Sequence, residues 1–162
     1  CQDNEISWIN WHLDEQQQAF MGFVRTCIDI RRRYPVLQQC FLPDDDYQLS
    51  PYHHHINWIR PDGETKQLED WHNHDNQCLG LLIADEDKQY QLLLILNASV
   101  QVVDYCLPAV EKAERILDTA YDESGVIFDA LNPSYPQAPR SMSLWRLPLI
   151  GKGVVKQAEN KD

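Results

Sequence analysis

Glycine is scarce in this chain, at 6 of 162 residues. Loops that wrap phosphate groups with backbone amides depend on glycine, and neither a GxGxxG nor a GxxxxGK pattern occurs. The GxSxG turn that carries a nucleophilic serine is also missing. Long apolar runs are absent as well, since the run 92–96 has strand length and a bilayer span needs roughly 20 residues. We therefore predict no nucleotide cofactor, no other cofactor and no membrane span.

Positive charge is also in short supply. The chain has 14 Lys and Arg against 25 Asp and Glu, a formal net charge of −11 at pH 7. Such a chain repels polyanions, so neither nucleic acid nor an anionic membrane is an expected partner. The five cysteines form no CxxC pair and are widely spaced, at positions 1, 27, 40, 78 and 106. This spacing predicts reduced thiols in a cytoplasmic protein rather than a disulfide framework or a thiolate metal site.

One segment has the period of an amphipathic helix. Apolar residues recur at three- and four-residue spacing between Asp14 and Tyr34, in the stripe Phe20, Phe23, Val24, Cys27 and Ile28. Asp14 is predicted to cap the first turn, the arginines at 31–33 suit the negative end of the helix dipole, and Pro35 ends the helix.

After residue 37 the chain changes to short apolar segments separated by turn residues. The predicted strands are 56–59, 78–84, 90–97, 100–107, 115–119 and 141–147. The continuous apolar run 92–96 is typical of a central strand covered on both faces, whereas Val103, Tyr105 and Leu107 alternate with other residues, as in a strand with one face toward the core. This pattern predicts a mainly β fold, an antiparallel sandwich.

The histidines raise the question of a metal site. Five of the six lie at positions 53–55, 72 and 74. On a strand His53 and His55 share a face, so a zinc site would need further ligands such as His72 or Asp75. A polar strand entry beside a loop explains the same residues without a metal, and we expect no metal site.

Aromatic residues raise the question of sugar binding, because flat rings stack on the C–H faces of pyranose sugars. The candidates are Trp8, Trp11, Trp58, Trp71 and Trp145. A buried tryptophan in a sandwich is more often part of the core, so the composition alone leaves both interpretations open.

Several segments resemble bacterial glycogen debranching enzymes of the isoamylase type, in the α-amylase superfamily. CQDNEISW at 1–8 resembles the segment after the last barrel strand, and FVRTCIDIRRRYPVL at 23–37 looks like the helix that follows. NWIRPDG at 57–63, together with 69–72, is similar to the family's WLxPDGxxxxxxDWxD block. The segments 78–82, 94–98 and 116–120 resemble its LGLLL, LLLNA and LLDTA strands. The order and spacing agree over nearly the whole chain.

The resemblance implies that this chain is the C-terminal part of an enzyme that hydrolyses α-1,6 branch linkages in glycogen or limit dextrins. The family's catalytic Asp, Glu and third carboxylate lie on earlier barrel strands, so this chain is expected to be non-catalytic. Residues 1–37 would be the last loop and a long amphipathic helix of the (β/α)8 barrel. Residues 38–162 would be a Greek-key β-sandwich of the α-amylase C-terminal type that caps the barrel. The alternative is a stand-alone glucan-binding sandwich.

The resemblance also implies a substrate-binding role near the start of the chain. Loops after barrel strands gather at the face that carries the active site. Asp3, Asn4, Glu5 and Trp8 would lie in such a loop and border the glucan cleft. Packing between barrel and sandwich is the other interpretation for Trp8, and it is the preferred one for Trp11. Without a barrel, the apolar helix stripe is expected to dock on the sandwich or on another copy of the chain.

Overall fold

The computed structural model describes residues 3–8, 10–38, 56–85, 89–108, 110–121, 125–129 and 134–149. The chain divides into two compact units, Cys1–Asp46 and Tyr47–Asp162. The predicted boundary between residues 37 and 38 remains a prediction. The predicted cluster His53–His55 lies outside the described residues, as do residues 156–162.

The first unit contains the predicted helix, α1, over Glu15–Arg33, followed by a 3-10 helix over Pro35–Gln38. Asp14 caps α1 as predicted, because its carboxylate accepts from the Gln17 backbone N–H at 2.8 Å while the Gln17 side chain accepts from the Asp14 N–H at 3.1 Å. The three arginines occupy the last turn, and the Tyr34 N–H donates to the Ile30 carbonyl at 3.0 Å where α1 ends. The expected helix is confirmed.

The second unit is mainly β, as predicted, and every strand pair in it is antiparallel. Its strands are β1 (Ile56–Ile59), β2 (Cys78–Asp85), β3 (Tyr90–Asn97), β4 (Val103–Cys106), β5 (Lys112–Asp118), β6 (Val126–Asp129), β7 (Ser134–Gln137) and β8 (Ser141–Pro148). A short helix, α2 (Leu68–His72), lies between β1 and β2. One sheet has the order β1-β2-β3-β8-β5-β6 and the other pairs β4 with β7. Because β8 returns beside β5 after β6 and β7, this half of the unit has Greek-key connectivity.

Several strand predictions needed correction. The strand predicted at 100–107 begins only at Val103, because the Ser99 hydroxyl accepts from the Gln101 N–H at 3.2 Å and keeps this stretch in a turn. The strand predicted at 115–119 begins earlier, at Lys112, and ends at Asp118. Strands β6 and β7 were not predicted, and neither was α2. Each of these elements has only four or five residues, and β7 contains Pro136.

The hydrophobic core lies between the two sheets. Its buried members come from both layers: Ile59, Cys78, Leu93, Ile95, Tyr105, Leu107, Ala113, Tyr135, Trp145 and Leu147. Strand β3 runs through the middle of the larger sheet, and Leu92 and Leu93, on opposite faces, are both fully buried, which confirms the predicted central strand. Tyr105 and Leu107 are buried while Asp104 is exposed, which confirms the alternation predicted there.

The two sheets approach each other closely at Gly80 on β2. The Tyr105 hydroxyl reaches from β4 across the core and donates to the Ile59 carbonyl at 3.2 Å. A methyl group at Gly80 would overlap that hydroxyl and would lie 3.1 Å from a Leu93 methyl carbon. Because Gly80 has no side chain, the Tyr105 hydroxyl has room to reach the backbone of β1.

We predict that Gly80→Ala lowers the free energy of unfolding by about 1–3 kcal/mol, because the added methyl must displace the Tyr105 ring. Urea denaturation followed by tryptophan fluorescence measures this. The Gly80→Ala/Tyr105→Phe double variant should be less destabilised than the sum of the two single variants, since the clashing hydroxyl is gone.

Gly22→Ala is the matched control for the Gly80 variant. An added methyl there meets nothing within 4 Å and sits in α1, where alanine is favoured over glycine. An unfolding free energy for Gly80→Ala equal to that of the unsubstituted chain would contradict the packing described here.

Candidate functional site

The four residues predicted to border a glucan cleft lie in one tight turn of the first unit. The Ser7 N–H donates to the Asn4 carbonyl at 3.0 Å and closes the turn. The Asn4 side chain accepts from the Ile6 N–H at 3.1 Å, and the Trp8 indole N–H donates to the Asp3 carboxylate at 2.5 Å. Trp8 keeps an exposed fraction of 61%, and Glu5 is exposed. The structure thus brings these side chains together, and their role with substrate remains a prediction.

The five tryptophans fall into three environments. Trp145 is fully buried in the core, and its ring meets Tyr135 edge to face with 4.7 Å between centroids. Trp11 is exposed in the first unit, as Trp8 is. Trp58 and Trp71 form a pair on the second unit, with ring centroids 5.4 Å apart and planes at 86°. The pairing of Trp58 with Trp71 was not predicted.

The pair on the second unit has a cation beside it. The Lys66 ammonium lies 4.5 Å from the centroid of the Trp71 ring, within range of a cation–π interaction. Trp58 and Trp71 have exposed fractions of 38% and 49%. We call Trp58, Lys66 and Trp71 the tryptophan corner. The sequence feature that could have predicted this pair is the PDG turn at 61–63 between the two tryptophans. This turn directs the following residues back alongside β1.

The face of the larger sheet opposite the core is also apolar. Side chains alternate between the faces of a strand, so residues neighbouring the core positions in sequence point to the other side. Strand pairing aligns one row across five strands: Trp58, Leu81, Leu94, Leu144 and Leu117. A second row contains Leu79, Leu96 and Met142. Leu144 is buried, and Leu81, Leu94 and Leu117 are partly exposed. We call these two rows the outer face.

A buried charge network connects β5 to β7. The Tyr135 hydroxyl donates to the Asp118 carboxylate at 2.6 Å and accepts from the Arg115 guanidinium at 2.6 Å, while Arg115 and Asp118 themselves are 3.7 Å apart. Burial and the hydrogen bond to Asp118 raise the pKa of Tyr135 to about 12, against the lowering effect of Arg115. The tyrosine therefore stays neutral at physiological pH and links the two strands, which favours a structural role.

The described residues contain no cluster of three or more metal-ligating side chains. His72 and His74 are exposed. Cys27, Cys78 and Cys106 are free thiols, and burial raises the pKa of Cys78 to about 11, so this thiol is protonated at neutral pH and packs as a small apolar group. Within the described part of the chain, no helix has the length and apolar character to cross a membrane.

Residues 55–134 match the family model described as isoamylase, C-terminal. This part of the chain is an isoamylase C-terminal domain. It includes the tryptophan corner and five of the six strands of the larger sheet, all but β8. The predicted resemblance is confirmed over these residues.

Relatives of this isoamylase C-terminal domain occur in much longer proteins. The glycogen debranching enzyme of Dickeya chrysanthemi is 30% identical over 112 residues, which is 68% of this chain and 15% of that protein. The glycogen operon protein GlgX homolog of Mycobacterium bovis is 25% identical over 87 residues, 53% of this chain and 12% of its own. The chain thus spans about 15% or less of these relatives. Among solved structures, a mutant isomaltulose synthase of Erwinia rhapontici NX5 aligns with 78% of this chain and 17% of its own, at 14% identity and a TM-score of 0.46.

Proposed function

We propose that this chain is the C-terminal part of a cytoplasmic glycogen debranching enzyme that hydrolyses α-1,6 branch linkages. In this proposal the chain is non-catalytic, and its sandwich is a structural cap on the catalytic barrel. The names of its relatives support the activity, and the free thiols support the compartment. The enzyme's substrate would be glycogen or a branched α-glucan.

The outer face is the observation that carries the structural role. The larger sheet is apolar on both faces, but the two-stranded sheet packs against only one of them. A sheet with leucines on both faces is typical of a layer covered on both sides. We infer that the barrel covers the leucines of the outer face, with Leu81, Leu94 and Leu117 at the contact, and leaves Trp58 at the β1 edge uncovered. Burying a leucine side chain stabilises such an interface by about 1.5–3 kcal/mol.

A second candidate function, glucan binding by the sandwich itself, is favoured by the tryptophan corner. This function does not compete with the cap, because the corner lies at the β1 end of the apolar row. The turn of Asp3, Asn4, Glu5 and Trp8 is a separate candidate contact with substrate, and it belongs to the first unit.

The cap can be tested with two adjacent leucines that point to opposite faces of β3. In the chain alone, Leu93→Ala should cost about 2–5 kcal/mol of unfolding free energy, because Leu93 is fully buried in the core. Leu94→Ala should cost less, because Leu94 is partly exposed. In an enzyme that joins this chain to an isoamylase-type barrel, the cost of Leu94→Ala should rise toward that of Leu93→Ala. Thermal and urea unfolding measure both.

The same pair of proteins tests the lack of catalysis. The chain alone should release no reducing ends from glycogen, whereas the barrel-bearing enzyme should. Equal costs of Leu94→Ala with and without the barrel would contradict the cap, and debranching that persists through purification of the chain alone would contradict its non-catalytic role.

The turn is tested in the barrel-bearing enzyme with Asn4→Ala and Trp8→Ala. Each should lower kcat/KM for a branched glucan by up to about tenfold, the effect of losing one hydrogen bond or stacking contact to substrate, with little change in melting temperature. Ile6→Ala is the matched control, because Ile6 lies in the same turn and is 95% exposed. Unchanged kinetics for both variants would remove these residues from the substrate site.

We also propose that the chain by itself associates through α1. Phe20, Phe23, Val24 and Ile28 have exposed fractions from 38% to 66%, and Phe20 and Phe23 stack at 6.5 Å. Light scattering should detect a concentration-dependent dimer that Phe20→Gln weakens, because the substitution removes apolar area from the stripe. Arg25→Gln, away from the stripe, should leave the dimer intact. A monomer at all concentrations would contradict this proposal.

A further inference from the structure

The structure separates the five tryptophans by their availability to a ligand. Trp145 is closed off inside the core. Trp8 donates a hydrogen bond to Asp3, and Trp11 belongs to the first unit. Among the tryptophans, Trp58 and Trp71 combine exposure with a ring neighbour, because the 12 residues between them fold back and set the two indoles against each other.

The contacts with Trp71 and Lys66 do not cover both ring faces of Trp58. In an edge-to-face contact the edge of one ring covers one face of the other. The Lys66 ammonium covers a face of Trp71, not of Trp58. These contacts therefore occupy at most one face of Trp58, and this side chain keeps a 38% exposed fraction. The two rings, at 86° to each other, and the ammonium beside them form an open corner at the surface.

The backbone fixes the corner in place. The Lys66 N–H donates to the Trp58 carbonyl at 2.8 Å, and Ile59 bridges to Thr65 as an antiparallel pair. These bonds hold the strand of Trp58 next to the segment that carries Lys66. The backbone of Trp58 and Lys66 is therefore held in place without a ligand, and less conformational entropy is lost when a ligand binds.

Ion pairs fix the helix that carries Trp71. The Arg60 guanidinium contacts Asp62 at 2.9 Å and Asp70 at 3.6 Å. Asp70 in turn accepts from the Gln67 N–H at 2.7 Å at the start of α2. Asp62 and Asp70 raise the pKa of Arg60, against the effect of burial. This network joins the first residues after β1 to the helix turn next to Trp71.

The groups around the rings match a hydroxylated ligand better than an apolar one. The Lys66 ammonium beside the Trp71 ring is a triple hydrogen-bond donor. A protein partner needs about 800 Å² on each side of a stable interface, far more than two half-exposed rings provide. A sugar needs one ring face and a few polar groups. The net charge of −11 disfavours a polyanionic ligand.

We propose that the tryptophan corner binds an α-glucan chain, with one glucose unit stacked on Trp58 and its hydroxyls bonded to Lys66. The choice of an α-glucan, among neutral polysaccharides, rests on the proposed function. The tryptophan corner binds glycogen away from the catalytic site, so it contributes to the affinity for the polymer and not to bond cleavage.

The test uses the full 162-residue chain and maltoheptaose as the probe. Indole N–H resonances, assigned with Trp→Phe variants, are followed by NMR during titration. The resonances of Trp58 and Trp71 should move along one saturable curve with a Kd on the order of 1 mM. The resonance of Trp145 should stay in place, because its indole N–H is buried and bonded to Ser143 at 2.8 Å.

Two variants and a control make the test decisive. Trp58→Ala should weaken binding by about tenfold, and Lys66→Gln should weaken it about threefold without removing a ring. Trp11→Ala, an equally large truncation in the other unit, should bind as the unsubstituted chain does. Circular dichroism establishes that each variant is folded, and if Trp58→Ala unfolds, Lys66→Gln and Trp58→Phe replace it.

Unmoved resonances of Trp58 and Trp71, shifts that never saturate, or shifts confined to Trp8 and Trp11 would each overturn the proposal. Undiminished binding by folded Trp58→Ala and Lys66→Gln would do the same. None of these results affects the cap, which is judged by the cost of Leu94→Ala in the presence of a barrel. Failure of the corner and failure of the proposed function are therefore distinguishable.

Discussion

The burial of Trp145 between the two sheets is the interaction on which the sandwich depends. Its ring lies 4.7 Å from Tyr135 and 5.1 Å from Phe128, so residues of β6, β7 and β8 meet around it. An indole cannot be buried without a partner for its N–H, and here that group donates to Ser143. The Ser143 hydroxyl donates to Gln137 on β7, and Gln137 donates to Ser141 at 2.6 Å. This chain of hydrogen bonds places β7 over the core face of β8.

The position of β7 explains why the two faces of the larger sheet differ. Among the described strands β7 pairs with β4 alone, and together they cover the core face of the larger sheet. Tyr105 of β4 reaches the β1 carbonyl at the gap left by Gly80, and this contact closes the same face toward the edge. The apolar residues on the opposite face have no equivalent layer among the described strands of this unit. The larger sheet thus has one face covered by the second sheet, and on its other face Leu92 is fully buried while Leu81, Leu94 and Leu117 are partly exposed.

The sequence predicted the large elements because each is long and has a clear hydrophobic pattern. The α1 stripe with the Asp14 cap and the leucine-rich β3 needed no knowledge of tertiary contacts. Strand β7 could not be predicted in this way, since SYPQ has a proline and no apolar alternation, and its stability comes from Tyr135 and Gln137 being buried by other strands. The network of Arg115, Tyr135 and Asp118 was also not predicted, because it too depends on tertiary contacts. Its members are brought together only by strand register.

Strand register also decides which tryptophans are buried in the core and which are exposed in the tryptophan corner. Trp58 and Trp145 are the same residue type on strands of one sheet, but register assigns Trp145 to the core face, where the second layer covers it, and Trp58 to the outer face. Among the described strands Trp58 lies on the edge strand β1, and α2 supplies Trp71 as an aromatic neighbour. A one-residue shift of β1 would turn Trp58 into the core and remove the corner. The side of the sheet that a tryptophan occupies, and not aromatic content, therefore decides whether it stabilises the sandwich or is available to a ligand.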